Sequence, residues 1–319
     1  MPSQPSVCFI INPVAGRGKA KHIAEKLSAF LKSSPFPHKV LITQHPQHGT
    51  ELAREASKTS DFIIAVGGDG TLNEVASALV HTNVTLAVLS EGSGNDFGRL
   101  LNAPSKVGRV TDIFLSSIHK KFDCGKVRVT FDNGGSTERY FFNSLGIGFD
   151  AAVAKQVSQI SSLHAGVRHF GTQAWLRGVP LYAAALVKTL AGYRPHRFSV
   201  SSAEYNKQKS FFLVCIGNGM WEGGGFKVTP NAVPDDGKFQ VCCVEGKSVP
   251  DVLPVLPFAL TGKHITKKNV EVFDTQMLTV ECNEPFPVHG DGEIFGVNII
   301  KIEVSLIPQS LNVAVLQKR

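Results

Sequence analysis

No stretch of this sequence stays apolar for long. A helix that crosses a membrane needs about 18 to 20 consecutive apolar residues. The two most apolar candidates, Val179–Val187 and Asp251–Leu260, are shorter, and prolines interrupt the second. The first residues, Met1–Gln4, also lack the basic start and apolar core of a secretory signal. We therefore expect no membrane-spanning helix and a cytoplasmic location.

Cysteine and histidine are present, but not in disulfide or metal-binding patterns. None of the six cysteines forms a C-x-x-C pair, and most lie inside apolar segments, as Cys8, Cys215, Cys242 and Cys243 do. The eleven histidines show no metal-ligand spacing. This favours buried, reduced thiols over disulfides or zinc ligands. A hydrophobic content of 43% also rules out a disordered chain.

Acidic residues are fewer than basic ones, 26 against 33, which gives a net charge of +7. A basic surface attracts phosphates, whether on a nucleotide, a nucleic acid or an anionic membrane. The basic residues are scattered without a run of five, so an ordinary solvated surface explains them equally well. The sequence contains neither a basic helix nor an aromatic-basic strand pair, the features that would indicate a nucleic-acid partner. We therefore expect no such partner.

The length of 319 residues favours two domains. In the first 122 residues, apolar strands alternate with amphipathic helices, which predicts a parallel sheet covered on both faces. The predicted strands are Val7–Ile11, Lys39–Thr43, Asp61–Val66 and Val84–Leu89. This pattern indicates an α/β domain.

The pattern changes near Asp123. Short segments rich in Val, Phe and Thr, separated by turn residues, predict an antiparallel β-sandwich over residues 123–307. One helical region, roughly Phe149–Ala191, interrupts it. A return of residues 308–319 to the first domain remains an open alternative.

Three glycine-bearing loops follow the ends of predicted parallel strands: Gly16–Lys19, Gly67–Thr71 and Gly92–Asp96. Ligands bind at the carboxyl edge of such sheets, where glycines and helix N-termini can approach phosphate oxygens. Glycine is common in such loops, but three of them favour a phosphate-bearing ligand. Side chains that add hydroxyl groups or positive charge there are Arg17, Lys19, Thr71 and Ser93.

The familiar nucleotide motifs are missing. There is no G-x-x-x-x-G-K-[ST] sequence, no dinucleotide-binding triple glycine, and neither H-R-D nor D-F-G. Asp69 would suit a Mg²⁺ ion carried by a nucleotide, or would bond its own turn. Asn95 and Asp96 leave the same choice open, with helix capping as the alternative.

Two acidic clusters stand out in the second half. Pro234–Lys238 is a good turn signal and needs no further explanation. In His289–Glu293, the carboxylates of Asp291 and Glu293 flank a glycine between two strands. That arrangement suits a general base with a supporting partner.

Together these motifs resemble the diacylglycerol kinase catalytic family, in particular its soluble bacterial lipid kinases. The resemblance rests on the G-G-D-G-T-L-N-E sequence of Gly67–Glu74 and the G-S-G-N-D-F sequence of Gly92–Phe97. Asp236-Gly237 and Asp291–Glu293 extend it. Sphingosine kinases are relatives, and NAD kinases are more distant ones. The implied fold is an α/β nucleotide domain followed by a β-rich lipid-side domain.

The resemblance implies roles for individual residues. Asp291 corresponds to the general base, and Glu293 would support it. Metal ligands would be Asp69, Asp96 and Asp236, with backbone carbonyls of Val233 and Lys238. The implied ATP-binding residues are Asn12, Gly16, Arg17, Thr43, Gly67, Gly68, Asp69, Gly70, Thr71, Asn73, Glu74, Gly92, Ser93, Asn95 and Asp96.

The implied activity is ATP- and Mg²⁺-dependent transfer of the γ-phosphate to the hydroxyl of a diacylglycerol-like lipid at the inner membrane face. Contact with the membrane would be peripheral, and the resemblance is compatible with a homodimer. A kinase of a soluble substrate such as NAD, or a sensor without turnover, remains an alternative. The sequence departs from the family at Ser90, where a proline is usual, at Ser93, and at His289-Gly290. Trp175–Tyr193 and Leu253–Leu260 would form a lipid groove or ordinary core.

Overall fold

The computed structural model describes residues 5–15, 19–32, 36–90, 95–165 and 179–317. The chain forms two compact units. The first comprises Met1–Cys124 with Pro308–Arg319, and the second comprises Gly125–Ile307.

The first unit is built on parallel strands in the order β2-β1-β3-β4. Every residue of β1 and β4 is buried, as expected for parallel strands covered on both faces, whereas β2 lies at the exposed edge. The strands are β1 (Val7–Ile11), β2 (His38–Ile42), β3 (Phe62–Gly67) and β4 (Thr85–Ser90). The end of a later strand also joins this sheet: Val313 pairs in parallel with Leu86.

Helices alternate with these strands. They are α1 (Lys19–Leu31), α2 (His48–Ala56), α3 (Asp69–Leu79), α4 (Asp96–Leu100) and α5 (Val110–Leu115), the last preceded by a 3-10 turn. Apolar residues of α1, such as Leu27 and Leu31, pack against β1 and β3 in one buried cluster. Leu27 and Leu31 are four residues apart, the spacing that places two side chains on one face of a helix. Because the strands are parallel, the ends of β1, β3 and β4 lie at the same edge of the sheet.

The second unit is antiparallel. Its strands are β5 (Ser117–Phe131, which begins in the first unit), β6 (Ser136–Phe141), β7 (Ser144–Gly148), β8 (His196–Ser201), β9 (Asn206–Gly217), β10 (Phe239–Glu245), β11 (Val270–Thr275), β12 (Met277–Gly290) and β13 (Glu293–Leu316). The order along the main path is β11-β10-β9-β7-β12-β13, while β8 pairs with β9 and β12, and β5 pairs with β6. Their inward residues form a large apolar core that includes Phe141, Phe198, Phe211 and Phe286.

The helices of this unit are α6 (Phe149–Ala165), α7 (Val179–Leu190), α8 (Val249–Val252) and α9 (Leu256–Ala259), followed by a 3-10 turn at Lys263–Thr266. The predicted helical region Phe149–Ala191 thus contains two described helices, and Trp175 lies outside the described residues. Within the described part of the chain, no helix is both long and apolar enough to cross a bilayer.

Candidate active site

The loop between β3 and α3 presents the start of a helix at the carboxyl edge of the first sheet. Gly68 is the N-cap of α3, and its backbone is extended. The Leu72 N–H donates to the Gly68 carbonyl at 3.0 Å, so the N–H groups of Asp69, Gly70 and Thr71 precede the helical bonding pattern. Such N–H groups and the helix dipole favour an anion.

Gly67 is required here for a steric reason. A Cβ atom at this position would lie 2.6 Å from Thr71 Oγ1 and 2.7 Å from Thr71 Cβ. Only glycine allows α3 to start so close to the end of β3. The predicted glycine-rich loop is therefore a tight strand-to-helix connection in the structure.

Asn12 connects the first loop to α3. Its Nδ2 donates to Thr71 Oγ1 at 3.0 Å, and its Oδ1 accepts the Val14 N–H at 3.1 Å. The Thr43 N–H donates to the Ile11 carbonyl at 2.9 Å, which places Thr43 beside the end of β1. The structure thus brings together three predicted nucleotide-site residues, Asn12, Thr43 and Thr71.

Asp69 accepts a hydrogen bond from the residue that precedes α4. Its Oδ2 accepts the Asn95 N–H at 2.8 Å, and Asn95 has a left-handed backbone with φ of 55°. The next residue, Asp96, is buried and forms an ion pair with Arg99 one turn along α4. Asp69 therefore bonds the N-cap residue of α4. Sequence reasoning missed Arg99, whose spacing of three residues from Asp96 is an ordinary helical pair.

Glu74 makes contacts that the sequence did not predict. Its two carboxylate oxygens accept the backbone N–H groups of Gln47 and Gly49, both at 2.9 Å. The Thr50 hydroxyl donates to the Glu74 carbonyl at 2.9 Å. Glu74 thus fixes the start of α2, and the predicted contact of this side chain with the nucleotide stays a prediction.

Other predicted nucleotide-site residues are placed differently. Asn73 is buried on α3, where the Ser77 hydroxyl donates to its Oδ1 at 3.4 Å. Ser90, which replaces the usual proline, ends β4, and a Cβ on Gly98 would fall 2.3 Å from its Oγ. Gly16, Arg17, Gly92 and Ser93 lie outside the described residues.

In the second unit, Asp291 lies in the turn between β12 and β13. Its carboxylate accepts three backbone N–H groups, from Phe142 and Asn143 at 2.9 Å and from Ser144 at 3.0 Å. The Asp291 N–H donates in return to the Ser144 carbonyl at 2.9 Å. Because a carboxylate offers about four acceptor positions, these bonds fix its orientation. Glu293 follows at the first position of β13.

The predicted Asp236 metal site is an exposed turn. The Lys238 N–H donates to Asp236 Oδ1 at 3.3 Å, and Lys238 Nζ lies 2.5 Å from Asp274 Oδ2. Gly237 has φ of 78°, which suits a turn glycine, and Val233 is exposed. These contacts agree with the turn interpretation, and the metal role stays a prediction.

Two family models match the chain in succession. The diacylglycerol kinase catalytic domain matches residues 6–127, and the YegS C-terminal NAD kinase beta sandwich-like domain matches residues 143–315. The chain therefore contains a diacylglycerol kinase catalytic domain and, through the model that spans more than half of it, belongs to the family with the YegS C-terminal NAD kinase beta sandwich-like domain. It is a lipid kinase enzyme, as the sequence predicted.

Relatives match this family member over nearly their whole length. YtlR of Bacillus subtilis (strain 168), whose name classes it among lipid kinases by inference, is 27% identical over 308 residues. These cover 94% of this chain and 97% of YtlR. The diacylglycerol kinase of Mycobacterium tuberculosis (strain H37Rv) is 26% identical over 311 residues, which cover 96% of this chain and 94% of that protein.

Solved structures confirm the predicted fold class. A crystal structure of an inferred diacylglycerol kinase from Bacillus anthracis has a TM-score of 0.74 at 21% identity, covering 99% of this chain and 98% of that one. Yeast NADH kinase complexed with NADH has a TM-score of 0.56 at 9% identity, covering 100% and 85%. These likenesses confirm an α/β domain followed by a β-sandwich domain.

Sequence reasoning about this kinase also missed two carboxylates close to His289. His289, two residues before Asp291, faces Asp150 and Glu222 across short distances. The three residues come from separate parts of the sequence, so no local spacing could have grouped them. The signal that was available is the polar His289 in an otherwise apolar strand end.

Proposed function

We propose that this chain transfers the γ-phosphate of ATP, in the presence of Mg²⁺, to the hydroxyl group of a diacylglycerol-like lipid. The observation that carries the proposal is the match to the diacylglycerol kinase catalytic domain over residues 6–127. That family implies the use of ATP. The contacts of the β3–α3 loop and of the Asp291 turn support the proposal.

The nucleotide phosphates would bind at the start of α3. There the first-turn N–H groups and the helix dipole stabilise negative charge, and Gly67–Gly70 let the backbone approach closely. Asn12 bonds Thr71 in the first turn of α3, and Asp69 bonds Asn95 just before α4, so these segments are held before the nucleotide binds. Holding them in advance matters because phosphoryl transfer depends mainly on positioning and charge neutralisation.

Asp69 and Asp96 would hold Mg²⁺. Carboxylate oxygens are the hard donors that this ion prefers, so the residue types fit it. The ion supplies neutralisation of charge on the phosphate oxygens. Asp236, with the Val233 and Lys238 carbonyls, would hold a second, structural Mg²⁺ in its exposed turn.

Asp291 would accept the proton of the lipid hydroxyl as that hydroxyl attacks phosphorus, and Glu293 would orient it. The three N–H groups that hold the Asp291 carboxylate keep it in one orientation. A positioned base of this kind contributes roughly 10²- to 10⁴-fold to the rate.

The lipid would be taken from a membrane surface by peripheral contact. Leu253 and Leu260, at the ends of α8 and α9, are about half exposed, and Phe258 is 38% exposed. The Lys267 ammonium lies 3.6 Å from the Phe258 ring. Apolar side chains beside basic ones favour an anionic membrane surface. A location at the inner face of the membrane belongs to the same proposal.

The test is transfer of radiolabelled γ-phosphate from ATP with and without Mg²⁺. The acceptors are diacylglycerol, monoacylglycerol, sphingosine and ceramide in anionic vesicles, with free NAD in a parallel reaction. We expect label in an organic-extractable product only when Mg²⁺ is present, and co-sedimentation of the chain with the vesicles.

Label in NAD alone would overturn the lipid proposal and establish the soluble-substrate alternative. That alternative has one supporting observation, the NAD kinase-like character of the second matched domain. Label in neither class, with ATP binding intact, would instead establish a sensor without turnover for these acceptors. Absence of co-sedimentation would remove the membrane contact but leave the transfer result standing.

A further inference from the structure

Three ionisable side chains from distant parts of the second unit meet in its interior. Asp150 lies in the first turn of α6, Glu222 follows β9, and His289 is the next-to-last residue of β12. Their side chains are 18%, 8% and 3% exposed, respectively. Charged groups are rarely buried this far unless they are paired or bind a metal ion.

The distances in this cluster match those between ligands of one ion. His289 Nε2 lies 2.9 Å from Glu222 Oε1 and 3.3 Å from Asp150 Oδ1, and ligand atoms of all three residues lie within 4.8 Å of one another. Bonds from Zn²⁺ to nitrogen and oxygen are about 2.0 to 2.2 Å long, so neighbouring ligands are separated by about 3 to 3.5 Å.

In the part of the chain that the structure describes, polar atoms of the same three side chains lack hydrogen-bond partners. Among the described residues, His289 Nε2, Glu222 Oε1 and Asp150 Oδ2 have no partner in hydrogen-bonding geometry, despite their short separations. Leaving buried polar atoms unpaired is costly. Asp150 and Glu222 also place two carboxylate oxygens within 4.8 Å of each other, and like charges at this distance repel. A cation among the three side chains would remove this repulsion.

The backbone makes room for the cluster at Gly146. A Cβ atom on this residue would lie 2.2 Å from both Asp150 Oδ2 and His289 Nε2. Gly146 belongs to β7, which pairs with β12 at His289. Any other residue here would push the donor atoms apart, so the strand leaves the space in which they converge.

We propose that Asp150, Glu222 and His289 bind one divalent transition-metal ion of the Zn²⁺ class. Two carboxylates and one imidazole form a donor set common to Zn²⁺, whereas the imidazole disfavours Mg²⁺. Cys215 lies next to the ligands, and its Sγ donates to Glu222 Oε2 at 3.1 Å, which orients that carboxylate. None of these three residues is among those assigned to ATP or its Mg²⁺.

The ion site is linked to the turn that carries Asp291. His289 Nδ1 accepts the Gly292 N–H at 3.3 Å. When Nε2 binds an ion, a neutral imidazole carries its proton on Nδ1, so the Gly292 N–H has to give up this long contact. Binding of the ion therefore changes the hydrogen bonding of the residue between Asp291 and Glu293.

The test uses the full chain, stripped with a chelator and titrated calorimetrically with Zn²⁺ at constant pH. A second group of possible ligands, His45, His48 and Glu51, lies on the first unit. The titrations are therefore done in a His45→Ala background. We expect one equivalent of tightly bound Zn²⁺, at least about tenfold weaker binding in Glu222→Gln, and a rise in thermal unfolding temperature with the ion.

Glu222→Gln keeps the size of the side chain, and circular dichroism checks that the variant is folded. A second measurement needs no variant: Co²⁺ bound by the His45→Ala chain should show the intense visible absorption of a low-coordinate nitrogen and oxygen site. Equal Zn²⁺ affinity with and without Glu222→Gln in the His45→Ala background would overturn the proposal. Absence of Zn²⁺ binding to the His45→Ala chain itself would also overturn it. Neither ATP nor lipid is present, so these results are independent of the kinase activity.

Discussion

Asp291 combines an unusual backbone with a tightly held carboxylate. Its φ of 51° lies in the left-handed region that non-glycine residues rarely adopt. The N–H groups of Phe142, Asn143 and Ser144 compensate for this strain by bonding the carboxylate. Strained residues often lie at functional sites, which agrees with the proposed base.

Replacing Asp291 with alanine tests whether this residue acts as a base in the reaction and not in nucleotide binding. We expect phosphoryl transfer to fall by roughly 10²- to 10⁴-fold while affinity for Mg·ATP stays nearly unchanged, because a base acts in the transition state. Steady-state kinetics and an independent nucleotide titration measure the two quantities. Asp132→Ala, in the exposed loop between β5 and β6, is the control and should change neither. Equal losses of binding and turnover in Asp291→Ala would contradict the role.

Two substitutions at Asp69 distinguish the effect of its hydrogen bond with Asn95 from the effect of its negative charge. An asparagine at this position keeps an oxygen that can accept the Asn95 N–H, whereas alanine removes the contact as well. We expect both variants to weaken Mg·ATP binding, with the larger loss in Asp69→Ala. The measurement is ATP affinity at several Mg²⁺ concentrations. If Asp69→Asn bound Mg·ATP as well as the parent does, the side chain would serve only to hold the loop.

At the scale of elements, ion pairs between β11 and β9 stabilise the edge of the sheet in the second unit. Glu271 of β11 accepts hydrogen bonds from Lys207 and Lys209 of β9, at 2.6 and 3.0 Å. Burial alone would raise the pKa of Glu271, but these partners and Tyr205 outweigh it and lower the pKa from 4.5 to about 2. The charged form of Glu271 therefore stabilises the sheet.

Glu271→Gln should lower the free energy of unfolding by about 1 to 2 kcal/mol at pH 7, since the pairs are partly exposed to solvent. A group whose pKa is depressed on folding stabilises above its unfolded pKa and loses that effect as pH falls through the folded value. The difference between the two chains should therefore shrink between pH 4.5 and about 2. Urea unfolding across this range measures it. A difference that does not vary with pH would contradict the ionic origin.

The sequence predicted elements well where the signal is local. Apolar runs located β1, β3 and β4, and amphipathic patterns indicated the helices between them, because both patterns depend on neighbours in sequence. Boundaries were less accurate: Lys39–Thr43 was predicted where β2 is His38–Ile42. The predicted domain boundary between residues 307 and 308 falls within one strand, β13.

Contacts between distant residues could not be predicted in this way. Glu74 was grouped with the nucleotide loop because it lies in the same motif, yet its carboxylate bonds Gln47 and Gly49. Asp150, Glu222 and His289 meet only because β7, β9 and β12 are neighbours in the sheet. Single-sequence patterns carry no information on such pairings, so the candidate metal cluster appears only in the structure.

At the scale of the whole molecule, the last residues complete the first unit. The His81 N–H donates to the Ser310 carbonyl at 2.8 Å, Asn312 Nδ2 to the Thr82 carbonyl at 2.9 Å, and the Leu316 N–H to the Leu101 carbonyl at 3.0 Å. Leu311, Val313 and Leu316 are also buried. The first sheet therefore depends on a segment that follows the entire second unit in the chain.

Deleting residues 308–319 should destabilise the first unit much more than deleting the two residues after Gln317. We expect the longer deletion to lose ATP binding and to expose amides of β4 to hydrogen exchange, because β4 loses a neighbour. Hydrogen exchange followed by mass spectrometry measures both truncations. If the amides of β4 were protected equally in the longer deletion and in the full chain, residues 308–319 would be dispensable for the first sheet.

This arrangement has a consequence for synthesis on the ribosome. Domains generally fold as they emerge, with the N-terminal one first. Here the strands β1 to β4 emerge early, but Val313, which pairs with Leu86, is added only after the second unit has been made. The edge of β4 must wait unpaired throughout that interval, so the part of the protein that is translated first is the part that closes last.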